Sequence, residues 1–273
     1  MSNPESIFQW KEVRVSGAAL TTSSLGGKEM SLWQWEGTPS HGAVPPTTAA
    51  NPDNTTAGSL MQGDPAAGKQ KWLASIDSPG PPAGGAIALW DRLVHCSGFS
   101  GTVTTAQNLN GGSPATVSRT YVDNQGNQHV GNRIFVEIYT AVGATGTTIT
   151  ASYTNQAGTA GQTTQAVTFG NTGFKEQCRW IELPLAAGDT GVQAVTSVTV
   201  LATTGTAGNF GVVVAHPILH MPNAAQPDGW CGAIDGFIEI LTGACLFWTW
   251  QIQVAAVATQ PGLPFVNLAF VDR

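Results

Sequence analysis

Apolar residues in this sequence come in short runs cut by Gly, Pro, Asn and Thr. The runs are densest between Arg133 and His220, where Ile134–Thr140, Thr147–Thr154, Thr163–Phe169, Arg179–Leu185, Val195–Thr203 and Phe210–His216 follow one another. β-branched and aromatic side chains suit a pleated, half-buried surface, so each run predicts a strand. Six such strands at short spacing predict an antiparallel sandwich or barrel. Upstream, Lys71–Ile76 and Ala86–Cys96 are parted by the Pro/Gly-rich stretch from Ser78 to Gly85. Proline removes a ladder donor there and glycine permits the sharp turn. Downstream, Phe237–Leu241, Leu246–Val257 and Phe265–Val271 read as terminal strands that close the sheet or pair with a neighbouring subunit. Two turns share the letters Gly-Thr-Ala-Gly, at Gly158–Gly161 and Gly205–Gly208, and both read as hairpins.

The first seventy residues differ in character. Two strand-like pieces, Ile7–Val15 and Ser31–Trp35, are set in Gly, Pro, Ser and Thr, and His41–Gly68 has four prolines and almost no large apolar side chains. That loop cannot form a core of its own, so it is expected to be mobile or to be ordered against a neighbour. The resulting expectation is an all-β chain with an antiparallel β-sandwich or jelly-roll-like core. Residues 1–70 would be an extended N-terminal arm, 71–222 the sandwich, and 223–273 a strand-rich C-terminal tail.

Composition narrows the function classes. Only 10% of the residues are charged, well under the roughly 25% of an average soluble chain, and 33 Gly and 16 Pro accompany 42% hydrophobic residues. The 11 Lys and Arg against 17 Asp and Glu leave a net charge of −6, which gives no basic field to gather phosphates and argues against nucleic acid as a partner. Nine Trp and ten Phe supply enough apolar area to fold. The N-terminal MSNPESIFQWKEVRV does not read as a secretion signal, so synthesis in the cytoplasm is expected. Phe237–Ala258 carries Glu239, Gln251 and Gln253 and alternates like strands, so no membrane segment is expected.

Candidate chemistry is sparse. Cys96, Cys178, Cys231 and Cys245 form no CxxC pair and are expected to act as small apolar side chains. Gly188-Asp189-Thr190-Gly191 matches the Asp-Thr-Gly of aspartic proteases, which need two such loops to share a proton between two carboxylates. There is one copy, and the simpler expectation is a turn between two strands held by a bond from the Asp189 side chain to backbone. His216 and His220 are four apart, a zinc spacing on a helix, but Pro217 and the β-rich run argue for two ordinary histidines at a strand exit. His95 and Cys96, adjacent in a strand, would face opposite ways and cannot form a dyad. Asp91 and Arg92 are expected to make a fixed local ion pair. Phosphate-cradle and nucleophile-elbow motifs are absent from the sequence, and no catalytic residue, metal or cofactor is expected. Trp33 and Trp35, like Trp248 and Trp250, sit two apart and would share a strand face, either for core and subunit-interface packing or for stacking sugars.

The stretch from about Trp72 to Leu219 resembles a group of tailed-bacteriophage virion proteins. The resemblance is carried by residues 88–98 (ALWDRLVHCSG), 101–107 (GTVTTAQ), 135–140 (FVEIYT), 148–158 (TITASYTNQAG), 183–191 (LPLAAGDTG) and 205–211 (GTAGNFG). It implies a β-sandwich capsid-associated protein with no catalytic motif. The function implied is a decoration (cement) protein on the outer head surface, bound to the major capsid protein and to itself as a trimer or dimer; the alternative is a tail, neck or head-fibre module that binds host glycan. Interface residues expected on this basis are Trp33, Trp35, Val44, Leu60, Met61, Trp248, Trp250 and Phe265.

Overall fold

The computed structural model describes residues 5–15, 18–19, 27–60, 62–77, 85–223, 238–252 and 265–272. Among them there is no helix, and the antiparallel strands build an all-β sandwich fold. In chain order these are β1 (Glu5–Val15), β2 (Ala18–Ala19), β3 (Glu29–Ser31), β4 (Trp35–Thr38), β5 (Lys71–Asp77), β6 (Gly85–His95), β7 (Gln107–Asn108), β8 (Ala115–Thr116) and β9 (Arg133–Thr140). They continue as β10 (Thr147–Asn155), β11 (Gln162–Thr163), β12 (Val167–Phe169), β13 (Trp180–Leu183), β14 (Val192–Val200), β15 (Asn209–Asn223), β16 (Ile238–Ile240), β17 (Leu246–Ile252) and β18 (Phe265–Asp272).

The chain divides into two compact units. Unit 1 is Met1–Ala43, Asp53–Asp91 and Ile218–Arg273; unit 2 is Val44–Pro52 and Arg92–Pro217. These are not the segments 1–70, 71–222 and 223–273 that composition suggested. In unit 1 one sheet runs β16-β5-β18-β1-β2, with β4 also on β1, and β17 pairs with β3 and with the Gly85–Asp91 part of β6. Its core holds Met30, Leu32, Leu73, Leu89, Phe247 and Phe270 together with five indoles, those of Trp33, Trp35, Trp90, Trp248 and Trp250.

Unit 2 is the sandwich. One sheet has the order β11-β10-β14-β7, with β12 added to β10 and β8 to β14. The facing sheet sets β9 between β13 and the Asn209–Ala215 part of β15. On β10, Ile149, Ala151 and Tyr153 are buried while Thr148, Thr150, Ser152 and Thr154 are half-buried, as a period of two requires. β14 instead buries Val192, Val195 and Val198. Its register against β10 slips twice, opposite Ser152/Tyr153 and opposite Thr154/Asn155, and each extra residue returns a valine to the core. Ile134, Val136 and Ile138 of β9 and Phe210, Val212 and Val214 of β15 complete that core. Each fully buried aliphatic or aromatic side chain contributes roughly 1.5–3 kcal/mol.

Two sequence expectations change here. Gly158–Gly161 does turn a hairpin, β10 to β11. Gly205–Gly208 does not: β14 pairs with β10 and β15 with β9, so this loop crosses from one sheet to the other. The proline-rich loop is ordered by its own chain. In unit 2, Ala50 and His95 exchange backbone hydrogen bonds, Ser97 N donates to Pro46 O, and Asn51 Nδ2 donates to Leu93 O and Thr116 O at 2.9 and 3.0 Å. In unit 1, Leu60 N donates to Leu246 O and Gln62 Nε2 to Ala244 O. Backbone and side-chain hydrogen bonds, with buried Leu60, hold a loop that has few large apolar side chains.

Gly211 on β15 faces the same side as its register partner Glu137. A Cβ there would overlap the Cys96 carbonyl oxygen and press on the Tyr139 ring. Backbone cannot yield as a side-chain tip does, so Gly211→Ala is expected to cost at least about 2 kcal/mol, lowering Tm by roughly 4–8 °C in a thermal melt.

Candidate functional site

The polar centre of unit 2 is buried. Consecutive strand residues face opposite ways, so Asp91 and Arg92 diverge: Asp91 Oδ1 accepts the Cys245 amide at 2.8 Å within unit 1, whereas Arg92 forms an ion pair with Glu137 of β9. The local pair expected from sequence is therefore corrected to a pair between β6 and β9. Arg92 and Glu137 are 0% and 1% exposed. Arg92 Nη2 also donates to the Tyr139 hydroxyl at 3.0 Å, that hydroxyl donates to Glu137 at 2.8 Å, and Arg92 Nε donates to His95 Nδ1 at 3.1 Å. Burial, and then the Arg92 charge, pushes His95 down to about 2, which keeps the imidazole neutral and able to accept. Burial and the Glu137 charge hold Tyr139 well above the usual phenol range. Cys96 is pushed up to about 12 by burial, so it is a thiol and no nucleophile.

Asp189 is likewise committed. Its Oδ2 accepts from the Tyr153 hydroxyl at 2.5 Å and its Oδ1 from Asn155 Nδ2 at 2.7 Å, while the Asp189 amide closes a turn onto Ala186 O. The same Tyr153 oxygen accepts the Ala186 amide at 2.9 Å, and burial followed by the Asp189 hydrogen bond raises its pKa to about 12. The turn expected from sequence is present, but among the described residues the Asp189 carboxylate accepts from side chains of β10 and not from backbone. His216 lies within β15 and not at its exit. It stacks on Tyr121 with centroids 3.6 Å apart, and its Nδ1 pairs with Asn132 Oδ1 at 2.9 Å. Burial, then the Arg133 charge, lowers it to about 4. Among the described residues no group of three or more His, Cys, Asp or Glu is arranged to hold a metal.

The interface residues expected from sequence are placed mostly inside. Trp33 and Trp35 do not share a strand face, because a turn closed by Trp35 N to Leu32 O separates β3 from β4. Trp33 packs edge-on to Phe247 and Trp35 to Trp250, with centroids 6.0 and 6.1 Å apart. Trp248 and Trp250 do lie two apart on β17, yet all four indoles are no more than 1% exposed, and Leu60 is buried too. These five side chains fill the unit 1 core and offer no face to a partner or a sugar. Met61 and Cys231 lie outside the described residues, as does the side chain of Phe265, whose backbone pairs with Trp10. Val44 remains at the surface.

What the surface of unit 2 does offer is a cluster of loops at the Thr140 end of β9. Thr204, fully buried, is its hub: Thr204 N donates to Gly101 O, Gly143 N to Thr204 Oγ1, Thr145 N to Thr204 O, and Thr204 Oγ1 to Thr206 O. Gly101 N donates in turn to Ala207 O, and Gly98 N to Asn209 Oδ1. Segments 44–50, 97–107, 140–148, 170–176 and 201–209 meet here, with Val142 N donating to Lys175 O and the Arg179 guanidinium over the Phe174 ring. Val103 and Leu201, which sequence reasoning missed, stand out from this end. An isolated Val or Leu in a Thr-rich loop carries no sequence signal of exposure.

No protein-family model matches the chain, and no curated protein matches it. Among solved structures, the crystal structure of the infectious bursal disease virus VP2 subviral particle aligns with 99% of this chain and 79% of its own. The identity is 10% and the TM-score 0.18, a level that carries no argument.

Two outcomes are expected. Glu137→Ala leaves Arg92 buried without its carboxylate and should cost roughly 3–5 kcal/mol in denaturant unfolding, most of it recovered in the Arg92→Met/Glu137→Leu double variant. His95 and His216 are neutral when folded but protonate near 6.5 when unfolded, so their contribution is intact above that pH and is lost as pH falls toward about 4 and then about 2. Each should remove up to about 1.4 kcal/mol per pH unit, and His95→Asn should flatten the slope of stability against pH.

Proposed function

We propose that this chain is a non-enzymatic structural component of a phage virion, a decoration (cement) protein that binds the outer head surface and ties neighbouring capsomers together. The observation that carries the reading is where the resembling stretches fall. Five of the six, residues 101–107, 135–140, 148–158, 183–191 and 205–211, lie wholly in unit 2 and supply β9, β10 and the turns that join its sheets. The resembling stretches thus fall on the scaffold, in keeping with a structural role. A second support is chemical: of the five groups that sequence put forward for catalysis or metal binding, Asp189, His95, His216 and Cys96 are engaged in internal hydrogen bonds, and His220 is exposed on β15. The partners in this reading are the major capsid protein and further copies of the chain, as a trimer or dimer. Many weak contacts repeated over a symmetric shell would then add through avidity. The glycan-binding alternative has lost its four Trp and has no other observation in its favour.

Quantitative mass spectrometry of purified virions tests this. A copy number close to that of the major shell protein is the expected result. A count of about a dozen or fewer would move the chain to the tail or neck, where symmetry is low and rotational, and absence from the particle would overturn the structural reading altogether.

A further inference from the structure

Asn110 is the one asparagine in the chain that glycine follows. It opens the turn Asn110-Gly111-Gly112-Ser113 between β7 and β8, closed by Ser113 N donating to Asn110 O at 3.0 Å. Gly111 and Gly112 take φ of +60° and +95°, the left-handed pair of a type I′ turn, which glycine adopts without strain. Such a turn uses the carbonyl of its first residue and the amide of its fourth, so the Gly111 amide between them is left over. Among the described residues neither that amide nor the Asn110 carboxamide makes a hydrogen bond. By contrast, the carboxamides of Asn51, Asn54, Asn127, Asn132, Asn155 and Asn209 are each engaged. Residues 111–114 are exposed, and a Cβ on Gly111 would meet nothing within 4 Å, so the tip of the turn has room to change shape.

We propose that Asn110 is a site of self-modification, where the chain converts its own amide to aspartate and isoaspartate. The Gly111 nitrogen gives its proton to a solvent base and attacks Cγ of Asn110. The new N–Cγ bond closes a cyclic succinimide as the Cγ–Nδ2 bond breaks and ammonia leaves. Water then opens the ring: at Cγ it breaks the new bond and leaves aspartate, and at the backbone carbonyl it breaks the original peptide bond and leaves isoaspartate, joined to Gly111 through its side chain. Nothing is oxidised or reduced, and solvent supplies the water. Nucleophile and electrophile are neighbours in the chain, so covalent structure already provides their proximity, and glycine has no side chain to obstruct the attack. The turn is pinned at both shoulders. Leu109 N donates to Thr196 O, Leu109 O accepts from Ala49 N, and Ala115 pairs with Val195. The extra backbone methylene of isoaspartate therefore falls in the exposed tip and leaves the pairing in place. Its chemical effect is a new carboxylate beside β7, β8, β10, β11, β12 and β14, strands that hold no charged residue. This modification is independent of the proposed particle role.

The test is peptide mapping by mass spectrometry of the full chain aged near neutral pH, with isoaspartate read by enzymatic methylation of its free α-carboxylate. A synthetic peptide of residues 107–116 serves as the unrestrained reference. In the folded chain Asn110 is expected to convert at least about tenfold faster than any other described asparagine, and within about tenfold of the peptide. Conversion should accelerate in mildly alkaline buffer, because the attacking nitrogen must lose its proton. Asn110→Gln should remove the methylation signal with the melting temperature unchanged. An Asn110 that stays an amide in the folded chain while the peptide converts would show that the turn forbids the attack and would overturn the proposal. Conversion led instead by Asn124, which is exposed but followed by Gln125, would overturn it too.

Discussion

Strand β9 has no solvent face along its centre. Ile134, Val136 and Ile138 point into the sandwich core, and Phe135, Glu137 and Tyr139 on the other side are no more than 1% exposed. A carboxylate in such a place needs a partner, and Arg92 supplies it from β6. Much follows from that requirement. His95 must stay neutral beside the guanidinium, and the Tyr139 hydroxyl bridges the pair. Gly211, opposite Glu137, must be bare so that Tyr139 and the Cys96 carbonyl fit over β15. Such a pair adds little net stability relative to apolar packing, but it tolerates no half-measures: each partner is costly without the other.

The same economy of polar groups shapes the surface. Asp189, His95, His216 and Cys96 face inward or into a tight turn, and the loops at the Thr140 end are hydroxyl-rich and cross-linked through Thr204. A rigid sandwich whose loops are held before contact loses little conformational entropy on docking, which suits recognition by contact. The proposed role as a head decoration protein uses the scaffold in this way.

Much of the fold was legible in the sequence because strand patterning is local. The run Thr147–Thr154 becomes β10 and Phe210–His216 becomes part of β15, since β-branched alternation and the glycine turns agree with the tertiary result. What failed depended on long-range pairing. The two Gly-Thr-Ala-Gly turns are alike in letters, yet one closes a hairpin and the other changes sheets, a choice set by which strand waits to pair. Trp33 and Trp35 looked like one strand face, but the turn at Leu32–Trp35 sends each indole to a different partner in the unit 1 core. The proline-rich loop looked unable to order itself because composition counts apolar side chains and not hydrogen-bond donors; the Asn51 side chain and the Ala50 backbone hold it with hydrogen bonds. The Arg92–Glu137 pair and the loop cluster around Thr204 were both invisible, one because its members are 45 residues apart, the other because it forms only when separate loops are brought together.

The claim on which the rest turns is that unit 2 is a rigid scaffold whose loop end is as well ordered as its strands. Amide hydrogen exchange on the intact chain measures this directly. The amides of Gly101, Thr145 and Thr204, each bonded across the loop cluster, are expected to exchange as slowly as those of β9. Exchange of these three at the rate of open loops, with β9 still protected, would contradict it.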